Sequence, residues 1–212
     1  MTWHEGIDGV HRQIAGSEHR RIVVLAGPGT GKTSFGLMRR VVRLLEQGIA
    51  GNRILLLSFT RVAAADLRDK VAAIGVDGAE TVRATTLHSF CFSVLRKAAV
   101  HSITQRTPRI LLKHEVDLML RDIGGTFGTI HDRRKLLEAM VAGWARDVES
   151  HPGLAQTADE RDFEALVTNW MRVHKAMLIG EVVSQVYKYL RSNPHADELT
   201  AFDHIVVDEY QD

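Results

Sequence analysis

Apolar positions along this 212-residue chain fall into two textures. In the first, short unbroken apolar runs alternate with stretches whose apolar residues recur every three or four positions. Ile22-Val23-Val24-Leu25 and Ile54-Leu55-Leu56-Leu57 read as buried strands, and residues 82–86 as a third. Leu37, Met38, Val41, Val42, Leu44 and Leu45 form a broad helical face that ends at Gly48. Val62, Ala65, Leu67, Val71 and Ile74 form another that stops at Gly75, and a further helix is predicted over residues 87–98. Strand and helix in alternation predict a parallel sheet covered by helices, an α/β fold.

After Pro108 the texture changes. Helical periods cover residues 112–123 and 132–148, a third begins near Asp159 and runs past Trp170, and a fourth covers 181–191. Gly124-Gly125-Thr126-Phe127-Gly128 is a break, and no strand pattern appears before His204. The chain is therefore expected to consist of an α/β part, residues 1–107 and 195–212, interrupted by an all-helical insertion over 108–194. Trp144 and Trp170 fall in that insertion and read as core.

Two polar segments carry the chemistry. Ala26-Gly27-Pro28-Gly29-Thr30-Gly31-Lys32-Thr33, continued by Ser34, stands between a predicted strand and a predicted helix. A glycine-rich turn in that position points successive backbone N–H groups at one spot, in front of a helix N-terminus, and so makes an anion cradle. Gly29 and Gly31 permit the tight path, Lys32 would reach the outer phosphates, and Thr33 would offer a hydroxyl to magnesium. The strict pattern has glycine where Ala26 stands. The second segment is Ile205-Val206-Val207-Asp208-Glu209, an apolar strand running into a carboxylate pair. Acidic residues cap many strands, but paired with the loop they complete one site: Asp208 to hold magnesium, Glu209 as general base toward water.

These segments, with Ser58-Phe59-Thr60-Arg61-Val62-Ala63-Ala64-Ala65-Asp66-Leu67, Thr86-Leu87-His88-Ser89-Phe90 and Val207-Asp208-Glu209-Tyr210-Gln211-Asp212, resemble consecutive motifs of superfamily 1A DNA helicases of the UvrD/Rep/PcrA type. The resemblance covers essentially the whole chain. It implies a RecA-like P-loop NTPase domain with a helical insertion subdomain, ATP and Mg2+ as cofactors, and single-stranded DNA as partner. By the same resemblance Gln13 reads the adenine, and Gln211 couples the ATP site to the DNA path. Phe59, Thr60, Arg61, His88, Ser89 and Phe90 lie along that path. Taken alone, Phe59 reads as a core residue after a leucine strand and His88 as a histidine at a helix start.

The bulk figures narrow the field without adding to it. With 45% hydrophobic residues a substantial core is expected, and no run approaches the roughly 18 apolar residues of a membrane span. The N-terminus has no apolar signal core. A formal charge of +1 means that DNA binding must come from a local groove rather than a global basic field. The 11 histidines are scattered and none has a cysteine at zinc-ligand spacing. A single cysteine, Cys91, excludes an internal disulfide and fits a reducing cytosol, so a cytoplasmic protein is expected.

In such helicases the arginines that stabilise phosphoryl transfer, and the second RecA-like lobe, come from motifs beyond the Asp-Glu-Tyr-Gln-Asp segment. The expectation is a chain that binds Mg-ATP and single-stranded DNA but does not unwind duplex alone. The alternative is a stand-alone nucleotide-binding or regulatory module that takes its second lobe from a partner chain. A small-molecule P-loop kinase would account for the Lys-Thr loop, but not for Phe59-Thr60 or the distant acidic strand end.

Overall fold

The computed structural model describes residues 2–27, 29–105, 107–145 and 157–210. The chain forms two compact units, Met1–Leu87 with Asp197–Asp212, and His88–Ala196.

The first unit is built on a three-stranded parallel sheet of β1 (Ile54–Ser58), β2 (Arg83–Thr86) and β3 (His204–Val207), ordered β2-β1-β3. Leu56 stands opposite Ala84 on one side and Val206 on the other, so β1 has a partner along both edges. That is why a run of four aliphatic residues can be buried throughout, as central parallel strands require. Ile54 and Leu56 pack against Val41, Leu44 and Leu45 of α2 (Met38–Glu46) and against Leu67 and Val71 of α3 (Arg61–Ala72). Each such side chain, fully buried, contributes roughly 1.5–3 kcal/mol. The α2 helix stops at Gly48, whose φ of 86° opens the left-handed turn in which the Ile49 N–H donates to the Leu44 carbonyl at 3.0 Å. A short α1 (Gly9–Gly16) precedes these elements, and a wider π-helical stretch, Lys32–Leu37, leads into α2.

Residue Arg53 fixes where the chain returns to the sheet. Its guanidinium donates to both carboxylate oxygens of Asp203, at 3.0 and 2.5 Å, and to the Thr200 carbonyl at 2.6 Å. The Asp203 N–H answers to the Arg53 carbonyl at 2.9 Å, so β3 starts in register with β1.

One expectation fails here. Ile22-Val23-Val24-Leu25 is not a buried strand: residues 21–27 are neither helix nor strand, and Val23 and Leu25 are 77% and 93% exposed. An apolar run becomes a strand only where its N–H and C=O groups meet a ladder, and β3 closes the sheet on its side with no strand paired to its outer edge among the described residues.

The second unit is helical: α4 (Leu87–Leu95, from His88 onward), α5 (Ala98–Thr104), α6 (Lys113–Asp122), α7 (Ile130–Ala145), α8 (Ala158–Val173) and α9 (Glu181–Ser192). The chain enters this unit at His88, ahead of the change in texture at Pro108, because Cys91, Val94 and Leu95 of α4 pack with Val182 and Val186 of α9. Burial pushes the Cys91 thiol up to about 12, which makes it an inert packing group. A second cluster joins Met119 and Leu120 of α6, Met140 of α7 and Phe163, Val167 and Met171 of α8. Trp144 and Trp170 pack on it as expected, their indole N–H groups donating to Glu164 at 3.0 Å and Asp122 at 2.9 Å. The stretch is not purely helical, since Ile110 and Met177 form an isolated parallel bridge.

Candidate nucleotide-binding site

Both halves of the site lie in the first unit. Gly29 and Gly31 take φ values of 75° and 78°, a region that a side chain strains, which confirms the need for glycine at both turns. Thr30 braces the turn by donating from its hydroxyl to the Gly27 carbonyl at 2.9 Å. After Gly31 the chain enters the π-helical stretch that carries Lys32, Thr33 and Ser34 and runs straight into α2. Pro28 lies outside the described residues.

The acidic half is set by β3. Its ladder continues one step past the strand, the Asp208 N–H donating to the Leu57 carbonyl at 2.8 Å. That bond holds Asp208 at the end of the sheet nearest the glycine-rich turn. Thr33 Oγ1 then stands 3.3 Å from Asp208 Oδ1 and 3.5 Å from Oδ2. The two motifs are 175 residues apart in sequence. Glu209 follows with φ 55°, a left-handed conformation that turns the chain sharply after Asp208. Tyr210 is exposed, and Gln211 and Asp212 lie outside the described residues.

On the other flank of the loop lies α1. His11 donates from Nε2 to the Thr30 carbonyl at 2.9 Å, tying α1 to the glycine-rich turn. Gln13, two residues on, is exposed in an open groove of about 730 Å3 that Trp3, Arg12, Glu18 and His19 also line. From α2, Arg40 and Arg43 reach back to the end of α1: Arg43 Nη1 donates to the Ser17 carbonyl at 3.0 Å, and Arg40 donates to the same oxygen. Burial and the neighbouring Arg43 pull Arg40 below the usual arginine range, against the opposing effect of Glu18. No sequence motif marks His11, Arg40 or Arg43. Their partners are backbone carbonyls and, for Arg43, also the distant Glu18 carboxylate, none of which leaves a pattern in the sequence.

The residues expected along a DNA path are found on two separate units. Phe59 follows β1 and is 62% exposed, so it is not the core residue that its leucine-rich context suggests. Thr60 caps α3, accepting from the Ala63 N–H at 3.1 Å, and Arg61 begins that helix with an exposed side chain. His88 is exposed near the start of α4, Ser89 is half-buried, and Phe90 packs partly against the α4–α9 cluster.

The sequence model of the UvrD/REP helicase N-terminal domain matches residues 10–212. The ATP-dependent DNA helicase UvrD1 of Mycobacterium tuberculosis (strain ATCC 25618 / H37Rv) is 26% identical over 223 residues, which cover 98% of this chain and 29% of the relative. UvrD1 of Mycobacterium leprae is 26% identical over 226 residues, with the same coverage. The ATP-dependent DNA helicase PcrA of Staphylococcus aureus (strain COL) is 23% identical over 216 residues, 90% of this chain and 28% of the relative. The chain thus spans less than a third of the length of these curated relatives.

Proposed function

The chain belongs to the UvrD/REP helicase N-terminal domain family, with its RecA-like P-loop fold, and from that premise we propose that it is the Mg-ATP- and single-stranded-DNA-binding portion of an ATP-dependent DNA helicase. The observation that carries this reading is the Thr33 hydroxyl 3.3 Å from the Asp208 carboxylate. Both are hard oxygen donors suited to magnesium, which takes few protein ligands and leaves the rest of its sphere to phosphate and water. When bound, the ion supplies positive charge to the phosphate oxygens. In this reading Gly27, Pro28, Gly29, Thr30, Gly31 and Ser34 surround the phosphates, and Lys32 neutralises the outer ones. Thr33 and Asp208 hold the ion, and Glu209 accepts the proton of the attacking water. Gln13 reads the base, and Gln211 links this site to the DNA path.

The exposure of Phe59 supports a stacking role toward single-stranded DNA, flanked by Thr60 and Arg61; His88, Ser89 and Phe90 are assigned to the same ligand by the family likeness alone. Phe59→Ala is expected to weaken binding of a labelled oligonucleotide by about 1–3 kcal/mol.

The deciding experiment is calorimetric titration of Mg-ATP into the chain, its Lys32→Ala variant and its Asp208→Asn variant. Tight binding by the parent, lost on Lys32→Ala and made magnesium-insensitive by Asp208→Asn, is the expected result. Equal affinity in the parent and Lys32→Ala overturns the assignment.

A further inference from the structure

The end of α1 is held in an unusual way. This helix has eight residues, too few to be stable alone, and its last carbonyls have no partners within it. Two guanidinium groups from α2 take them. Arg40 Nη1 donates to the Ala15 carbonyl at 3.3 Å and also to Ser17, while Arg43 Nη1 donates to the Ser17 carbonyl at 3.0 Å. Arg43 Nη2 continues to Glu18 Oε1 at 3.1 Å, and its guanidinium carbon lies 5.5 Å from the Trp3 ring centroid. Trp3 in turn covers Gly16, where a Cβ would come within 2.9 Å of the indole. Arg43 is 8% exposed although its position adjoins the α2 core face of Val42 and Leu44. A buried cation there is costly unless fully paired, so this one is committed to holding the segment after Gln13. The same α2 continues directly from the stretch that bears Lys32 and Thr33.

We infer that Arg43, with Arg40 beside it, is a positioning residue for base recognition: it fixes α1, and with it Gln13, at a set distance from the phosphate loop. The inference rests on the nucleotide-binding reading above and adds a division of labour to it. Phosphate affinity resides in the loop, while base selectivity depends on a clamp that touches no nucleotide atom.

The test titrates Mg-ATP, Mg-GTP and inorganic tripolyphosphate into the chain and its Arg43→Gln, Arg43→Lys and Gln13→Ala variants. Arg43→Gln should weaken Mg-ATP about tenfold, the scale of a lost charge-assisted hydrogen bond, and erase the preference over Mg-GTP. Tripolyphosphate affinity should stay within about twofold of the parent, and Arg43→Lys should restore part of the preference. In a Gln13→Ala background Arg43→Gln should change the ATP-to-GTP ratio no further, since the two act through one contact. Three ligands weakened alike by Arg43→Gln, or an ATP preference that survives it, overturns the inference. A parent that binds tripolyphosphate but does not prefer ATP overturns it too, while leaving the phosphate site standing. A parent that binds none of the three overturns the nucleotide reading itself. If Arg43→Gln does not fold, Arg40→Gln, which removes the partly buried half of the clamp, is judged by the same outcomes.

Discussion

Ile54-Leu55-Leu56-Leu57 and Ile22-Val23-Val24-Leu25 are nearly the same peptide in chemical terms, and the molecule treats them as opposites. The first is the middle strand of the sheet, with Ile54, Leu55 and Leu56 at most 1% exposed. The second leads into the phosphate loop with Leu25 almost fully in solvent. The difference is not hydrophobicity but hydrogen-bonding company. The first run is flanked by Arg83–Thr86 and His204–Val207, which satisfy its backbone on both sides and carry helices over one face. The second has no ladder partner among the described residues, and apolar side chains alone do not make a strand. The edge strand lies between these extremes: Ile205 and Val207 are 60% and 44% exposed, while Val206 packs on the core.

The largest effect that could break this contrast is a truncation made in each run. Leu56→Ala should destabilise the chain by about 2–5 kcal/mol in urea denaturation, the cost of an unfilled core cavity. Val23→Ala should stay within roughly 0.5 kcal/mol. Comparable losses at the two positions would mean that residues 22–25 are buried in solution. Hydrogen exchange is the next lever: amides of Ile54–Ser58 should be protected near the global limit, and those of residues 22–25 should exchange through local opening. Uniform protection across both runs would erase the distinction.

A smaller effect is set by pH at the edge strand. Burial first, and the nearby Arg40 second, hold the His204 imidazole below its usual range, with Asp203 opposing. A base whose folded value is depressed favours the folded state in its neutral form. Its contribution is therefore complete above about pH 6.5 and is lost as pH falls through the lower folded value. Thermal stability should decline across that window, and His204→Gln should flatten the decline; an unchanged profile would remove His204 from the account. The smallest effect concerns the clamp at the start of the strand. Arg53→Ala should speed exchange at residues 205–207 and leave the amides of Ile54–Ser58 protected, because the pair it breaks is solvent-exposed and contributes modestly. Equal loosening of both strands would show that Arg53 supports the whole sheet.

The same contrast explains what could be read from the sequence. Four helices of the second unit, α6 to α9, appear within about two residues of their expected limits where described, because each buries an amphipathic face whose period is local; α5 was not expected at all. Of the three strands that pair, β1 and β3 were legible as apolar runs and β2 only by its place between two helices, while the phosphate loop and the acidic strand end were legible as motifs. The helix expected over residues 87–98 is instead interrupted, since Lys97 adopts an extended ψ of 133° before α5 begins. Leu25, like the arginines that grip Ser17, was illegible for a common reason. Its environment depends on which backbone groups distant residues supply, and neither hydrophobic period nor charge encodes that.

The contact between Thr33 and Asp208 has a consequence for how the molecule is made. Its carboxylate arrives only after the entire second unit has been synthesised, since His88–Ala196 intervenes between β2 and β3. At roughly 5–20 residues per second, the ribosome delivers β3 on the order of ten seconds after β2. During that interval β1 has one edge unoccupied and the phosphate loop has no acidic counterpart. A helical unit, rich in local contacts, folds in far less time than that. Once it has collapsed, it replaces a long floppy tether with a compact bridge and cuts the entropy lost in bringing the two motifs together. Synthesis order therefore brings the two halves of the site together only after residues 88–196 have been made.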